Sequence, residues 1–437
     1  MASLKRFGAL FCLLSLPIGS VVHGQSVSIA TDDPGLTILT GTKVAGDATA
    51  TGTYQTPTTT RTLATTDAAL SSGLSSIAAN TTSGSVVILT GTTSASKSTT
   101  KATPGEPAPT NTRPCNGYPE FCNRKYSNIT VVGAHNSPFV RAGSAAANQQ
   151  LDVIHQLNDG VRFLQAQIQW PKNGTEPHFC HSTCDLLDAG PITEWLTTVK
   201  DWVADHPYDV VTVLLGNGNY SRPEKYVPYI EKTGILRYVY TPPKIPMARD
   251  DWPTLAEMIM RGQRIVMYLD YDTNQTAFPW LMDEFSQMWE TPFDPLDPEF
   301  PCNVQRPPDL SPEDIRKRMY IMNHNLNVEV SLLGSSIVVP AVTQLNVTNG
   351  AYGNGSLGMA ANNCRDEWDY PPSVLNTDYY NIGSYPGSVF EVAAKMNNVT
   401  YVNGTCCGSV NAAPRVEMTG TLVGAGLMWS MFWVLLA

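Results

Sequence analysis

Three side chains able to move a proton near neutral pH stand where apolar runs give way to turns. His135 follows "ITVVGA" and precedes Asn136, His181 lies with His178 in "HFCHSTC", and Asp378 closes "SVLNTD". A lone histidine at such a place more often packs than reacts. Two of them with a carboxylate are the minimum for paired acid and base catalysis, because imidazole is the side chain that titrates near pH 7 without help. Other run ends supply Asp270, Asn323 and His324, and the run 161–169 carries Gln165, Gln167 and Gln169 on one face by the period-two rule.

Such residues need a scaffold that gathers the ends of several strands. Apolar runs recur at 129–133, 161–169, 209–216, 264–270, 319–323 and 373–380. Between them, "PITEWLTTVKDWVADHP" sets Trp195, Val199, Trp202 and Val203 at helical spacing with Pro191 near the first turn, and "SVFEVAAKMNN" reads likewise. Continuous apolar strands alternating with helices imply an α/β fold whose parallel strands are covered on both faces. A stretch of this length suits a (β/α)8 barrel or an open doubly wound sheet, and six clear strands would make the barrel irregular. In a barrel of this kind the reactive groups collect at the C-terminal ends of the strands.

The rest of the chain speaks of an extracellular setting. Residues 1–24 carry Lys5 and Arg6, an apolar stretch and small-residue cleavage spacing at Val22 and Gly24, the pattern of a secretory signal peptide. Residues 25–113 are about two-fifths Ser and Thr, too poor in apolar groups to offset chain entropy, and read as a disordered, O-glycosylated stalk. At the other end, residues 409–437 combine the small triplet Asn411, Ala412 and Ala413, a polar spacer and an apolar tail. This fits a glycosylphosphatidylinositol (GPI) anchor signal with attachment at Asn411, and a single membrane-spanning helix without a cytoplasmic tail is the alternative.

Cysteine usage agrees with that setting. Beyond the signal, the even set Cys115, Cys122, Cys180, Cys184, Cys302, Cys364, Cys406 and Cys407 suits an oxidising compartment and up to four disulfides. The short spacings favour the local pairs Cys115 with Cys122 and Cys180 with Cys184; a zinc site from Cys180, His181 and Cys184 is the lesser alternative. Glycosylation acceptors recur at Asn80, Asn128, Asn173, Asn219, Asn274, Asn346, Asn354, Asn398 and Asn403. A formal charge of -10 argues against nucleic acid as a partner, since phosphate backbones call for a basic face.

Taken together, "VVGAHNSPFV", "GVRFLQAQIQW", "CHSTCDLLDAG", "WLTTVKDWVADHPYDVVTVLL" and "TDYYNIG" resemble, in order, the fungal phospholipase C-like phosphodiesterases, relatives of the phosphatidylinositol-specific phospholipase C X domain. The resemblance spans about Cys115 to Asn403 and implies a distorted (β/α)8 TIM barrel over residues 114–408. It implies His135 as the base that takes a proton from an attacking hydroxyl, His181 as the acid that protonates the leaving alcohol, and Asp378 as the carboxylate that orients the base. Asn136, Arg162, Gln165 and Gln167 are the substrate contacts it implies. The family pattern has charged residues where this chain has Gln165 and Gln167, so no cofactor is expected and Ca²⁺ is disfavoured, two neutral amides being weak ligands for a hard dication. The expected partner is a phosphodiester or lipid head group at the outer face of the plasma membrane or in the cell wall. A lipid- or glycan-binding surface protein with weakened catalysis, or a structural cell-wall mannoprotein, are the competing readings.

Overall fold

The computed structural model describes residue 54 and residues 59–63, 113–332, 335–384 and 386–402. The signal peptide, most of the Ser/Thr-rich stretch, Asn80, Asn403, Cys406, Cys407, Asn411 and the anchor signal lie outside the described residues.

Eight parallel strands form the centre: β1 (Val131–Ala134), β2 (Phe163–Gln169), β3 (Val211–Asn217), β4 (Ile265–Leu269), β5 (Leu281–Asp283), β6 (Met288–Glu290), β7 (Met319–Asn323) and β8 (Val374–Thr377). They pair in the order β6-β7-β8-β1-β2-β3-β4-β5, so chain order runs around a barrel whose one unpaired seam, among the described residues, lies between β5 and β6. The chain is therefore a distorted (β/α)8 barrel. All six expected strands are present. The two additional ones, β5 and β6, flank the seam; at three residues each, joined by a single helical turn, they are too short to show a period in the sequence.

Period-two alternation sorts the strand residues. Phe163, Leu214, Tyr268, Met282, Ile321 and Val374 meet in one buried cluster that fills the barrel. The alternate residues Leu164, Leu215, Leu269, Leu281, Tyr320 and Leu375 pack outward with the helices. One step further along the inward faces the filling turns polar: Gln165, Asp270, Glu284, Glu290, Asn323 and Asn376 are all buried, each two residues after an apolar member of the interior. Gly133 on β1 shares this layer, and a Cβ there would meet Val374 Cγ1 at 2.9 Å and Phe163 Cδ1 at 3.1 Å, so only glycine fits without displacing the floor.

Two of the outer helices show how the sequence sets their ends. Helix α1 (Val153–Asp159) starts where Asp152 accepts from the His155 backbone N–H and stops at Gly160, whose φ of 110° suits a residue without Cβ. Helix α2 (Ile192–Asp205) buries Val199, Trp202 and Val203 of the expected stripe, whereas Trp195 is half-buried and Leu196 beside it takes the core position. Among the described residues, three disulfides join Cys115 to Cys122, Cys180 to Cys184 and Cys302 to Cys364. The second uses both sulfurs that the zinc alternative requires, which removes that reading. The third closes the longest loop and on chain-entropy grounds contributes about 4 kcal/mol.

Part of the expected stalk packs on the barrel. Tyr54 lies edge-on to Phe285 and Tyr271, with ring centroids 4.9 and 5.5 Å away. Arg61 donates to the Gln275 carbonyl at 2.8 Å and to Thr276 Oγ1 at 3.2 Å, and Arg61–Thr62 pairs antiparallel with Lys244–Ile245. Mean composition conceals this, because Tyr54 is the one aromatic residue between Ser26 and Arg113. Of the described glycosylation acceptors, Asn128, Asn173, Asn219, Asn346, Asn354 and Asn398 are exposed. Asn274 is half-buried and donates its side-chain amide to Glu224 at 2.7 Å.

Candidate active site

The C-terminal rim of β1 and β8 places His135 beside Asp378. The two residues follow neighbouring parallel strands held in register at Ala134 and Thr377. His135 Nδ1 lies 2.8 Å from Asp378 Oδ1, and both side chains are buried. The same carboxylate oxygen accepts from Asn148 Nδ2 at 2.9 Å. Gln149 Nε2 donates to the His135 and Thr377 carbonyls, at 2.8 and 2.9 Å, and so ties the two strand ends together. With Nδ1 engaged, the ring's Nε2 is left for a ligand.

Asn136 takes the next position with φ of 49°, a left-handed conformation that asparagine tolerates better than most residues. Its side chain makes no hydrogen bond within the described residues. The turn is fixed by the Ser137 N–H, which donates to the Gln165 carbonyl on β2 at 2.8 Å.

His181 arrives by a different route. After β2 the chain makes an antiparallel hairpin, His178–His181 with Leu187–Pro191, and His181 ends its first strand. Gln169 Nε2 holds the hairpin tip by donating to the Ser182 carbonyl at 2.8 Å, and the Cys180–Cys184 disulfide closes it. The His181 ring meets Phe139 edge to face at 5.2 Å, four residues beyond His135, so both imidazoles share one rim.

Burial lowers the proton affinity of His135, but the charge and hydrogen bond of Asp378, with Asp294 and Glu290 further off, raise it to a net value above the usual range. Burial and then the charge of His135 push His181 down to about 3. Its Nδ1 is buried without a partner, while the ring as a whole keeps some solvent contact. An anion bound between the two rings would reverse the second effect, since a nearby negative charge favours the protonated imidazole.

Beneath the histidines a chain of amides crosses the barrel. Asn376 Nδ2 donates to Gln165 Oε1 at 2.8 Å and to Asn323 Oδ1 at 3.0 Å, and Asn323 Nδ2 donates to Glu290 Oε2 at 3.2 Å. Gln165 is thus floor rather than open ligand. Gln167 is half-buried at the mouth, where Gly216 makes room for it: a Cβ on Gly216 would stand 3.0 Å from Gln167 Cγ.

Asn136, Gln165 and Gln167 offer only neutral oxygens, one of which is already taken by Asn376, so this set does not fit Ca²⁺. Among the described residues no group of three or more His, Cys, Asp or Glu is arranged to hold a metal ion.

One expected contact lies elsewhere. Arg162 precedes β2 at the opposite end of the barrel, where it pairs with Asp209 at 2.8 Å and donates to the Leu157 and Val161 carbonyls. Its place at the start of the strand rather than the end decides this. His178 is engaged by Asp188 at 2.9 Å, and His324 stacks on Phe300 and bonds the Thr348 carbonyl; both serve the framework. Asn148 and Gln149 escaped the sequence reading, their only signal being a polar run "NQQ" after an alanine-rich turn.

The PI-PLC X family (PI-PLC X 1) matches residues 121–397, well over half of the chain. This chain belongs to that family. The PI-PLC X domain here is 38% identical over 287 residues to the PI-PLC X domain-containing protein 1 of Arthroderma benhamiae, covering 65% of this chain and 90% of that protein. An uncharacterized secreted protein of the same fungus is 52% identical over 326 residues, which are 75% of this chain and 73% of its own length. A solved structure of a mutant phosphatidylinositol-specific phospholipase C from Staphylococcus aureus covers 64% of this chain and 95% of its own at 13% identity, with a TM-score of 0.44.

Proposed function

We propose that this PI-PLC X domain is a secreted, GPI-anchored phosphodiesterase that cleaves a phosphoinositide-like or other phosphodiester by acid and base catalysis from His135 and His181. The observation that carries the reading is the His135–Asp378 contact of 2.8 Å through Nδ1 at the C-terminal rim, with His181 on the same rim. In the forward step neutral His135 takes the proton of a substrate hydroxyl, and that oxygen bonds to phosphorus. The bond from phosphorus to the leaving alcohol breaks as His181 delivers a proton to the departing oxygen. Each transfer contributes roughly 10²- to 10⁴-fold in rate. His181 is held neutral in the free protein, so the substrate's own phosphate must raise its proton affinity on binding.

Secretion is supported by the residues of the signal peptide and by the secreted relative; the anchor rests on the sequence from Asn411 onward. Incubating the mature protein with phosphatidylinositol vesicles and a panel of soluble phosphodiesters tests the activity. Turnover that disappears in His135→Ala supports it, and silence on every substrate sinks it. Release from membranes by an enzyme that cuts GPI anchors, with loss of "LMWSMFWVLLA", tests the attachment. Recovery of that peptide in the mature protein would favour a spanning helix.

The low proton affinity of His181 and the uncharged amides on β2 favour one rival, a phosphoester-binding surface protein without turnover. Stoichiometric retention of an intact lipid head group would identify it.

A further inference from the structure

The contacts that the resemblance implies bring no cation to the histidines: Asn136, Gln165 and Gln167 are neutral, Arg162 is at the other end of the barrel, and Arg141, in the loop after β1, is exposed with its guanidinium on the Asp188 carbonyl at 2.9 Å. A phosphodiester anion still needs a cation. We propose that Arg306, from the loop between β6 and β7, is the residue that contacts and neutralises the phosphate, a role that rests on the phosphodiesterase reading above.

The backbone of Arg306 fills the free edge of β6 at the seam, where its carbonyl accepts from the Glu290 N–H at 2.7 Å. Its guanidinium lies against Phe293, Phe285 and Tyr271, with ring centroids 4.1, 5.2 and 5.6 Å away. Aromatic faces hold a cation without using its N–H groups. The nearest carboxylate oxygen, Glu290 Oε2, is 3.5 Å from Nε, too far for a strong charge-assisted bond, and the side chain is 13% exposed. Among the described residues the guanidinium donates no hydrogen bond, and its Nε is buried without a partner. With Nε buried against Glu290, the four donors of the two terminal amino groups are those that can meet phosphate oxygens.

Position agrees. Glu290 Oε2, which faces Arg306 Nε, also accepts from Asn323 Nδ2 at 3.2 Å, and Asn323 Oδ1 accepts from Asn376 at 3.0 Å, so the guanidinium joins the amide layer beneath the histidines. Of the acids around Arg306, Glu290 is the one in contact, with Oε2 3.5 Å from Nε. Burial pushes Asp270 up to about 7 and Glu284 well above the usual range, which keeps Glu284 protonated and leaves Glu290 as the main counter-charge.

The test uses the mature protein, with inorganic phosphate as the binding probe and phosphatidylinositol vesicles for turnover. Arg306→Gln should weaken phosphate binding at least tenfold by calorimetry and lower kcat/KM about 10²-fold or more. Arg306→Lys should recover part of both, and the His135 limb of the pH profile should stay in place. In the wild-type protein, phosphate should protect Arg306 from phenylglyoxal, a measurement that does not depend on whether the variants fold. Equal labelling with and without phosphate, or unchanged phosphate affinity in a folded Arg306→Gln protein, overturns the proposal. If the wild-type protein binds phosphate through Arg306 but turns over no phosphodiester, the phosphodiesterase reading fails and the anion site stands.

Discussion

The two halves of the barrel mouth are built on different principles. On the β8-β1-β2 side the sheet is continuous, and the polar groups are histidines and amides locked by short hydrogen bonds, with Asp378 held by His135 and Asn148. Across the mouth, β5 and β6 leave an unpaired seam where Asp270, Glu284 and Glu290 are buried and Arg306 is half-buried. Proton transfer depends on distances held to fractions of an ångström, and parallel strands in register hold them. A charge acts over a longer range and tolerates a looser frame. The seam side is accordingly assembled from pieces remote in sequence: the Arg306 loop, the Cys302–Cys364 disulfide and Tyr54 from upstream.

The largest expected effect tests the histidine side. His135→Ala should reduce turnover by 10³-fold or more, and Asp378→Asn by about 10²-fold, as expected for losing a base and the group that orients it. Asp378→Asn also removes the charge that raises His135, so the limb of kcat/KM that requires neutral His135 should move to lower pH. Stability has a matching sign. With the folded value raised, the His135–Asp378 pair contributes fully below about pH 6.5, and that contribution is lost as pH rises through the folded value. Asp378→Asn should therefore lower the urea midpoint more at pH 5.5 than at pH 9. An equal loss at both pH values would mean that the contact is packing rather than charge.

The contrast also explains what could be read in advance. His135, Asn136 and Asp378 were legible because each ends a continuous apolar strand, and β1 and β8 are neighbours in the sheet. His181 was legible through its motif and the spacing of Cys180 and Cys184. Arg306 was not: it lies in "NVQRPPD", with no periodic element on either side, and only the folded chain brings it to Glu290. Tyr54 was hidden for a related reason, since a single aromatic among threonines gains its partners, Tyr271 and Phe285, from more than 200 residues away. Arg162 was placed wrongly because the motif marks its neighbourhood without distinguishing the start of a strand from its end.

A second prediction probes how the seam is held. Deleting residues 25–113 should lower Tm by about 5 °C relative to deleting only residues 25–53, because the longer deletion takes Tyr54 and Arg61 with it. Two aromatic contacts and two Arg61 hydrogen bonds contribute on the order of 2 kcal/mol after ordering costs, and each kcal/mol moves Tm by about 2–4 °C in a domain of this size. Identical melting temperatures would show that the upstream contact adds nothing. Tyr54→Ala in the longer protein should give about half of the change.

Smaller still is the effect of one buried acid. Burial raises Asp270 to about 7 in the folded chain, so the native state keeps a proton that the unfolded state releases, and stability falls as pH rises from about 4 to about 7. The gap, with the attraction to Arg306 already included, sets a ceiling of roughly 4 kcal/mol. Asp270→Asn can still accept from the Asn217 N–H, which now donates to Asp270 Oδ1 at 2.7 Å. The variant should match the parent in urea midpoint at pH 4 and exceed it at pH 7.5. A gain that is the same at both would remove titration of Asp270 as its cause.

The smallest expected effect is that of a chelator, and it sharpens the comparison most. On the histidine side every candidate oxygen on Asn136 and β2 is neutral, and Gln165 Oε1 is already committed to Asn376. Activity should then change by less than about twofold in excess EDTA, because neutral amides bind Ca²⁺ weakly. A tenfold loss restored by Ca²⁺ would point across the mouth, where the carboxylates are, and not to the amides. The variants then discriminate: Gln167→Ala would leave the Ca²⁺ response intact, whereas Asp270→Asn would weaken it. The acidic half of the mouth would in that event hold a cation alongside Arg306, and the division between a neutral proton-transfer side and a charged seam would survive with a different ion on the seam.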